Sequence, residues 1–151
     1  MSAQTTSAST NADDVVARTL GATGMAGIGL IHLLDAPGKF QETPYLGWMY
    51  LGLIAASIMT AYLLICESSR RAWLAAAGLA ASAIVGFTLT RTVGLPQATG
   101  DIGNWSEPIG MASLYVEGAV VTLSGVSLLR RRPAATTANH GERPASIPRT
   151  A

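Results

Sequence analysis

The sequence predicts an all-α protein in which four transmembrane helices form an antiparallel up-down bundle with both termini in the cytoplasm. Charged residues make up only 13% of the 151 residues, about half the roughly 25% that is usual in soluble domains. The middle of the chain also holds four apolar segments of about 20 residues each. At about 1.5 Å per residue, such a segment spans the roughly 30 Å hydrocarbon core of a bilayer.

The elements follow from polar and apolar stretches that alternate along the chain. Residues 1–14 are rich in Ser, Thr and Ala, which predicts a disordered N-terminal tail. The membrane domain, 15–130, contains helices predicted at about 15–34, 45–66, 72–93 and 108–129. Residues 131–151 are rich in Pro, Ala and Thr and predict a disordered C-terminal tail. The alternative is a soluble bundle of buried helices, and the four segments argue against it because they leave too little polar surface.

Short breaks between the apolar segments predict the order of the helices in space. Asp35–Pro44 contains two prolines and a glycine, Glu67–Arg71 is polar, and Gly94–Trp105 is rich in glycine. Such stretches end one helix and begin the next. Because the connections are short, successive helices are expected to be antiparallel neighbours.

The distribution of Lys and Arg predicts the orientation in the membrane. With a cytoplasmic N-terminus, eight of the ten Lys and Arg residues lie on the inside, and only Lys39 and Arg91 lie outside. Positive residues favour the cytoplasmic side. We therefore expect a multi-pass protein of the cytoplasmic membrane with both ends inside.

Composition excludes several functional classes. The net charge of +1 gives the chain no bulk basicity that would indicate nucleic acid as a partner. A single cysteine excludes an intrachain disulfide and a multi-cysteine metal site. We find no nucleophile elbow, Walker loop or paired acidic metal motif, so the sequence indicates no catalytic residue. It specifies no cofactor, and it leaves metal binding open.

Glu117 is the most unusual residue of the sequence, since it lies nine positions after Pro108 and is expected near the bilayer midplane. An ionised carboxylate at that depth costs about 2.5–3.5 kcal/mol on insertion scales. Helical spacing places it on one stripe with small polar residues, which should face the bundle interior: Ser106, Gly110, Ser113 and Ser124. Glu117 is therefore either a protonated packing residue hydrogen-bonded to Ser or Thr of a neighbouring helix, or a site for a proton, an ion or a ligand.

Further candidate residues gather towards the extracytoplasmic side. His32 is either a hydrogen-bonded structural residue or a metal ligand or proton relay. Arg91 either snorkels to the headgroups, or pairs with Glu107, Asp101 or Glu42, or binds an anionic ligand. Glu107 is the fourth candidate for ligand or ion binding, beside His32, Arg91 and Glu117. The candidates in the outer loops are Glu42, Asp101, Asn104 and Trp105.

Several blocks of the sequence resemble those of small four-helix bacterial integral membrane proteins, mostly from high-GC Gram-positive genomes. These blocks are Pro44-Tyr-Leu-Gly47, Thr90-Arg-Thr-Val-Gly-Leu-Pro96 and Asp101-Ile-Gly-Asn-Trp-Ser-Glu-Pro108. The resemblance covers roughly residues 15–130. It implies a four-span bundle in the cytoplasmic membrane, and it implies no activity.

Three functional hypotheses follow from the sequence. The first is a non-enzymatic accessory or binding module that acts through its extracytoplasmic face. The second is a proton, metal-ion or small-solute carrier that uses Glu117. The third is a membrane-embedded oxidoreductase or lipid-modifying enzyme with His32 or Glu107 as acid and base. The expected partners are the lipid bilayer and either a membrane protein or a second copy of the chain.

Overall fold

The computed structural model describes the backbone of residues 2–131 and the side chains of residues 11–131. This part of the chain contains four helices and no β-strand, apart from an isolated bridge between Leu95 and Ala98. The helices are α1 (Ser2–Glu42), α2 (Pro44–Cys66), α3 (Arg70–Thr92) and α4 (Pro108–Arg130). All four contain segments long and apolar enough to cross a membrane. The prediction of four membrane-spanning helices in an all-α protein is thus confirmed at the level of length and composition.

Helix α1 is longer than predicted at both ends. Residues 2–14, which the sequence assigned to a disordered tail, have helical backbone, because no glycine or proline precedes Gly21 to interrupt the helix. The helix also passes through Pro37 and ends at Glu42, eight residues beyond the predicted end. Membrane helices tolerate such an internal proline, since neighbouring groups can satisfy the backbone group it frees.

The other three helices begin and end within two residues of the predicted positions. Pro44 and Pro108 each occupy the first turn of a helix, where the missing N–H is no loss. The side chain of Ser69 caps α3 by accepting a hydrogen bond from the backbone N–H of Ala72 at 3.2 Å. The predicted C-terminal tail lies outside the described residues, except for Arg131.

The surface and interior of the bundle differ in the way expected for a protein in lipid. Large apolar side chains face outward, as Ile58, Met59 and Tyr62 do on α2. The interior contains many small and polar residues, including Ser57, Thr60, Ser113, Glu117 and Ser124. Small residues let membrane helices approach closely, and polar residues there face the bundle rather than lipid.

Two regions of different character follow one another along the bundle. We call the end that carries the 93–107 connection the long-loop end, and the end that carries Glu67–Ser69 the short-link end. An apolar core fills the half next to the short-link end and includes Met25, Ile28, Leu64, Trp73 and Val120.

Polar contacts close the short-link end beneath this core. Arg131 donates to the carbonyl of Ser68 at 2.7 Å and pairs with Asp14. Arg18 donates to the carbonyl of Leu64 at 3.0 Å. These contacts join residues of all four helices or their ends, so the space left inside the bundle lies towards the long-loop end.

Candidate functional site

A cavity of about 360 Å³ lies inside the half of the bundle next to the long-loop end. All four helices contribute to its walls. Its lining includes the four residues proposed from the sequence as ligand or ion sites, namely His32, Arg91, Glu107 and Glu117, together with the loop residue Asp101. The structure therefore brings together residues that are up to 85 positions apart in the sequence.

An ion-pair cluster forms the rim of the cavity. Arg91 pairs with Asp101 at 2.9 Å through Nη1 and with Glu107 through Nη2. Lys39 lies 3.1 Å from Asp101 and 3.1 Å from Glu42. Because Lys39 and Arg91 share Asp101, the cluster connects the end of α1, the end of α3, the 93–107 connection and the start of α4.

Burial and charge act in opposite directions on Asp101. Burial alone would raise the pKa of its carboxyl group, but the hydrogen bond from Lys39 and the charges of Lys39 and Arg91 outweigh burial and hold the pKa below the usual 3.8. Asp101 is therefore ionised at neutral pH. The guanidinium of Arg91 also lies over the ring of Phe87, at 4.7 Å from its centroid, which further stabilises the cation.

About two helical turns below Lys39 of the rim, His32 is held in a defined orientation. Its Nδ1 lies 2.9 Å from the carbonyl oxygen of Ile28, and its ring meets the ring of Tyr50 edge to face at 4.8 Å. A carbonyl oxygen only accepts, so Nδ1 carries a proton and Nε2 of the neutral ring is an acceptor. Tyr50 in turn donates its hydroxyl to Asp35 at 3.1 Å.

Glu117 forms the deep end of the cavity. It lies ten residues after Glu107 on α4, which corresponds to about 15 Å along the helix axis. Its side chain is buried, and Ser113 donates to Oε1 at 2.6 Å. This partner is on the same helix, one turn earlier, and not on a neighbouring helix as the packing interpretation expected. Within the described residues, Oε2 has no hydrogen-bond partner.

The remaining predicted residues lie around the cavity rather than in it. Glu42 is exposed, and its one ion-pair partner among residues 11–131 is Lys39. The backbone N–H of Asn104 donates to the carbonyl of Asp101, and Trp105 packs edge to face on Phe87 at 6.1 Å. These residues therefore shape the long loop that carries Asp101. Of the predicted stripe on α4, Ser106 is exposed because it precedes the helix, and the other members are buried.

Three residues of the site were not singled out from the sequence, namely Lys39, Tyr50 and Asp35 as a lining residue. The signal was present as the spacing of His32, Asp35 and Lys39, which places all three on one helix face. It was missed because α1 was predicted to end at Leu34. Among residues 11–131, no group of three or more His, Cys, Asp and Glu side chains is arranged to hold a metal ion.

Comparison of the chain with protein-family models, curated proteins and solved structures finds no match. The site is therefore interpreted from its own geometry. It combines an apolar wall, a charged rim and a buried carboxyl group, an arrangement suited to holding a small molecule in a fixed orientation.

Proposed function

We propose that this small integral membrane protein is a non-enzymatic binding module that holds a small ligand in the cavity, at the extracytoplasmic side of the cytoplasmic membrane. In this proposal the bundle is antiparallel, both termini are cytoplasmic, and the long-loop end faces outward. The proposed partner, which binds the ligand-loaded protein, is a membrane protein or a second copy of the chain.

The charge distribution supports this orientation. The short-link end carries Arg18, Arg70, Arg71, Arg130 and Arg131, whereas Lys39 and Arg91 are at the long-loop end. Positive residues are retained on the cytoplasmic side during insertion. Both cations at the long-loop end are also neutralised by carboxylates, so they add little outward positive charge.

The shape of the cavity supports ligand binding and carries the proposal. Its volume falls in the range of about 300–1,000 Å³ that small-molecule sites occupy, and its walls are mostly apolar with a few convergent polar groups. Its lining includes the exposed residues Met49, Gly52 and Ser82, so it is open where α2 faces α3. A ligand dissolved in the membrane can enter through that side.

Two glycines of α3 provide a matched test. A side chain at Gly86 would enter the cavity, and a Cβ there meets no atom within 4 Å. Gly78 lies on the same helix outside the cavity, and its Cβ is equally free. We expect a small molecule from the host membrane to co-purify with the wild type and with Gly78→Phe, and to be depleted about tenfold or more in Gly86→Phe.

The measurement is mass spectrometry of small molecules released from protein purified in mild detergent, normalised to protein. The proposal is contradicted if nothing is released from the wild type, or if Gly86→Phe releases as much as Gly78→Phe. Equal thermal stability of the two variants checks that both proteins are folded.

A carrier for protons or small cations is the second candidate, because Glu117 lies buried at the end of a row of ionisable groups that begins at Glu107. The apolar core below it, with Ile28, Trp73 and Val120 each at most 2% exposed, closes the other half of the bundle. Transport would thus require a second conformation. Liposome flux separates the candidates: a carrier loses flux in Glu117→Gln, whereas a binding module shows none in the wild type.

A further inference from the structure

The ionisable groups that line the cavity are not balanced in charge. The lining contains four carboxyl groups and two permanent cations, and the cations are Lys39 and Arg91. The rim cluster pairs these cations with Asp101 and Glu107. Asp35 and Glu117 are left over: within residues 11–131 neither forms a salt bridge, and each receives only a hydroxyl hydrogen bond.

A second observation concerns the atoms left free to meet a ligand. Glu117 is 1% exposed, and its Oε2 has no partner within the described residues. In the neutral imidazole form of His32, with Nδ1 donating to the carbonyl of Ile28, Nε2 is an acceptor. The free Oε2 of a Glu117 carboxylate and Nε2 of this neutral imidazole are both acceptors, so a ligand that donates hydrogen bonds complements these two forms.

The remaining walls define the rest of the ligand. Leu46, Leu53, Leu79 and Ile109 line the cavity together with the aromatic ring of Tyr50. Aliphatic walls accommodate an apolar body, and aromatic rings favour a cation. A carboxylate buried without an opposite charge is unfavourable, and a positively charged ligand removes that cost.

We propose that the ligand of this cavity is an amphiphilic organic cation, with an N–H-bearing ammonium group that binds Glu117 and an apolar body that contacts the walls. This inference rests on the proposed function and adds the chemical class of the ligand. Arg91 and Lys39 do not repel the cation strongly, because carboxylates neutralise both of them at the rim.

Three probes with one ring system and different charges test the proposal: naphthylmethylamine, naphthylmethanol and naphthoate. Binding is measured by equilibrium dialysis at neutral pH, with the full chain in lipid nanodiscs and with empty nanodiscs as reference. We expect the amine to bind about tenfold or more tightly than the alcohol, because its hydrogen bonds are charge-assisted. We expect naphthoate to show no binding above the reference.

Two variants locate the effect. Glu117→Gln keeps the size of the side chain and an acceptor for Ser113, and it removes the charge. It should weaken amine binding about tenfold or more and bring it close to that of the alcohol. Glu67→Gln is the control, since this carboxylate is exposed at the short-link end and lies outside the cavity; it should leave amine binding unchanged.

The outcomes separate the two proposals. Equal binding of amine and alcohol, or an unchanged amine affinity in Glu117→Gln, overturns the cation assignment and leaves the cavity as a binding site. Absence of binding for all three probes overturns the cation assignment as well, and failure of the co-purification test would then remove the binding function itself.

Discussion

Replacing Arg91 by Met should destabilise the protein by about 2–3 kcal/mol, because it leaves two carboxylates of the rim cluster without their main cation. The Arg91 side chain is only 4% exposed, and its Nη1 lies 2.9 Å from Asp101. Two unit charges at that distance, in a medium with an effective dielectric constant of about 20, attract each other by roughly 5.7 kcal/mol.

Solvent reduces this attraction to a smaller net loss. The side chains of Asp101 and Glu107 are 26% and 28% exposed, so both regain hydration when Arg91 is removed, and Lys39 continues to neutralise Asp101. The expected loss is therefore smaller than the roughly 3–5 kcal/mol for breaking a fully buried pair. Methionine keeps the apolar stem of the side chain, so the loss reports mainly on charge.

The assay is reversible unfolding in mixed detergent micelles, with the free energy of unfolding compared across a double-mutant cycle. The double variant Arg91→Met/Glu107→Gln should lose about 1–2 kcal/mol less stability than the sum of the losses in the two single variants. Arg70→Met is the matched control, since Arg70 is exposed and has no ion pair within residues 11–131; it should change stability by less than about 0.5 kcal/mol. A loss at Arg91 no larger than that, or strict additivity with Glu107, refutes the reasoning.

Two further predictions concern pH and packing. Despite partial burial, cationic neighbours hold the pKa of Asp101 below 3.8 in the folded protein. The contribution of Asp101 to stability is therefore complete above that pH and is lost as the pH falls through the lower pKa of the folded state. Between about pH 5 and about pH 3, the free energy of unfolding should fall less steeply in Arg91→Met than in the wild type. Gly110→Ala should destabilise the protein by about 1–3 kcal/mol, because the added Cβ would overlap the ring of Phe87. Gly118→Ala is the control: it has open space around it and should be neutral or slightly stabilising. Thermal unfolding of both variants measures the difference.

The spans could be predicted from the sequence because length and apolar composition are local properties. The helices α2, α3 and α4 were predictable from a run of apolar residues that begins with a proline or a polar cap. The predicted C-terminal end of α1 was wrong because Pro37 and Gly38 ordinarily end a helix. The rim contacts of Lys39, which hold the last turns of α1 in place, involve Asp101, 62 residues further along the chain.

The site was predictable in part for the same reason. Glu117 is conspicuous as a single carboxyl group in an apolar segment, and Arg91 as a single cation near a helix end. That they line one cavity with His32 depends on how the helices rotate and pack, which no local pattern specifies. The role of Tyr50 was invisible in the sequence, because a tyrosine near a membrane surface is ordinarily read as an interfacial residue.

Cysteine labelling in intact cells tests most directly whether the cavity lies at the extracytoplasmic side of a four-span bundle. In a Cys66→Ser background, Thr90→Cys lines the cavity near its rim and Ser69→Cys lies at the short-link end. A membrane-impermeant maleimide should label Thr90→Cys in intact cells, adding Gly86→Phe should slow that labelling, and Ser69→Cys should react only after permeabilisation. Labelling of Ser69→Cys in intact cells, with Thr90→Cys protected until the membrane is opened, would contradict the account.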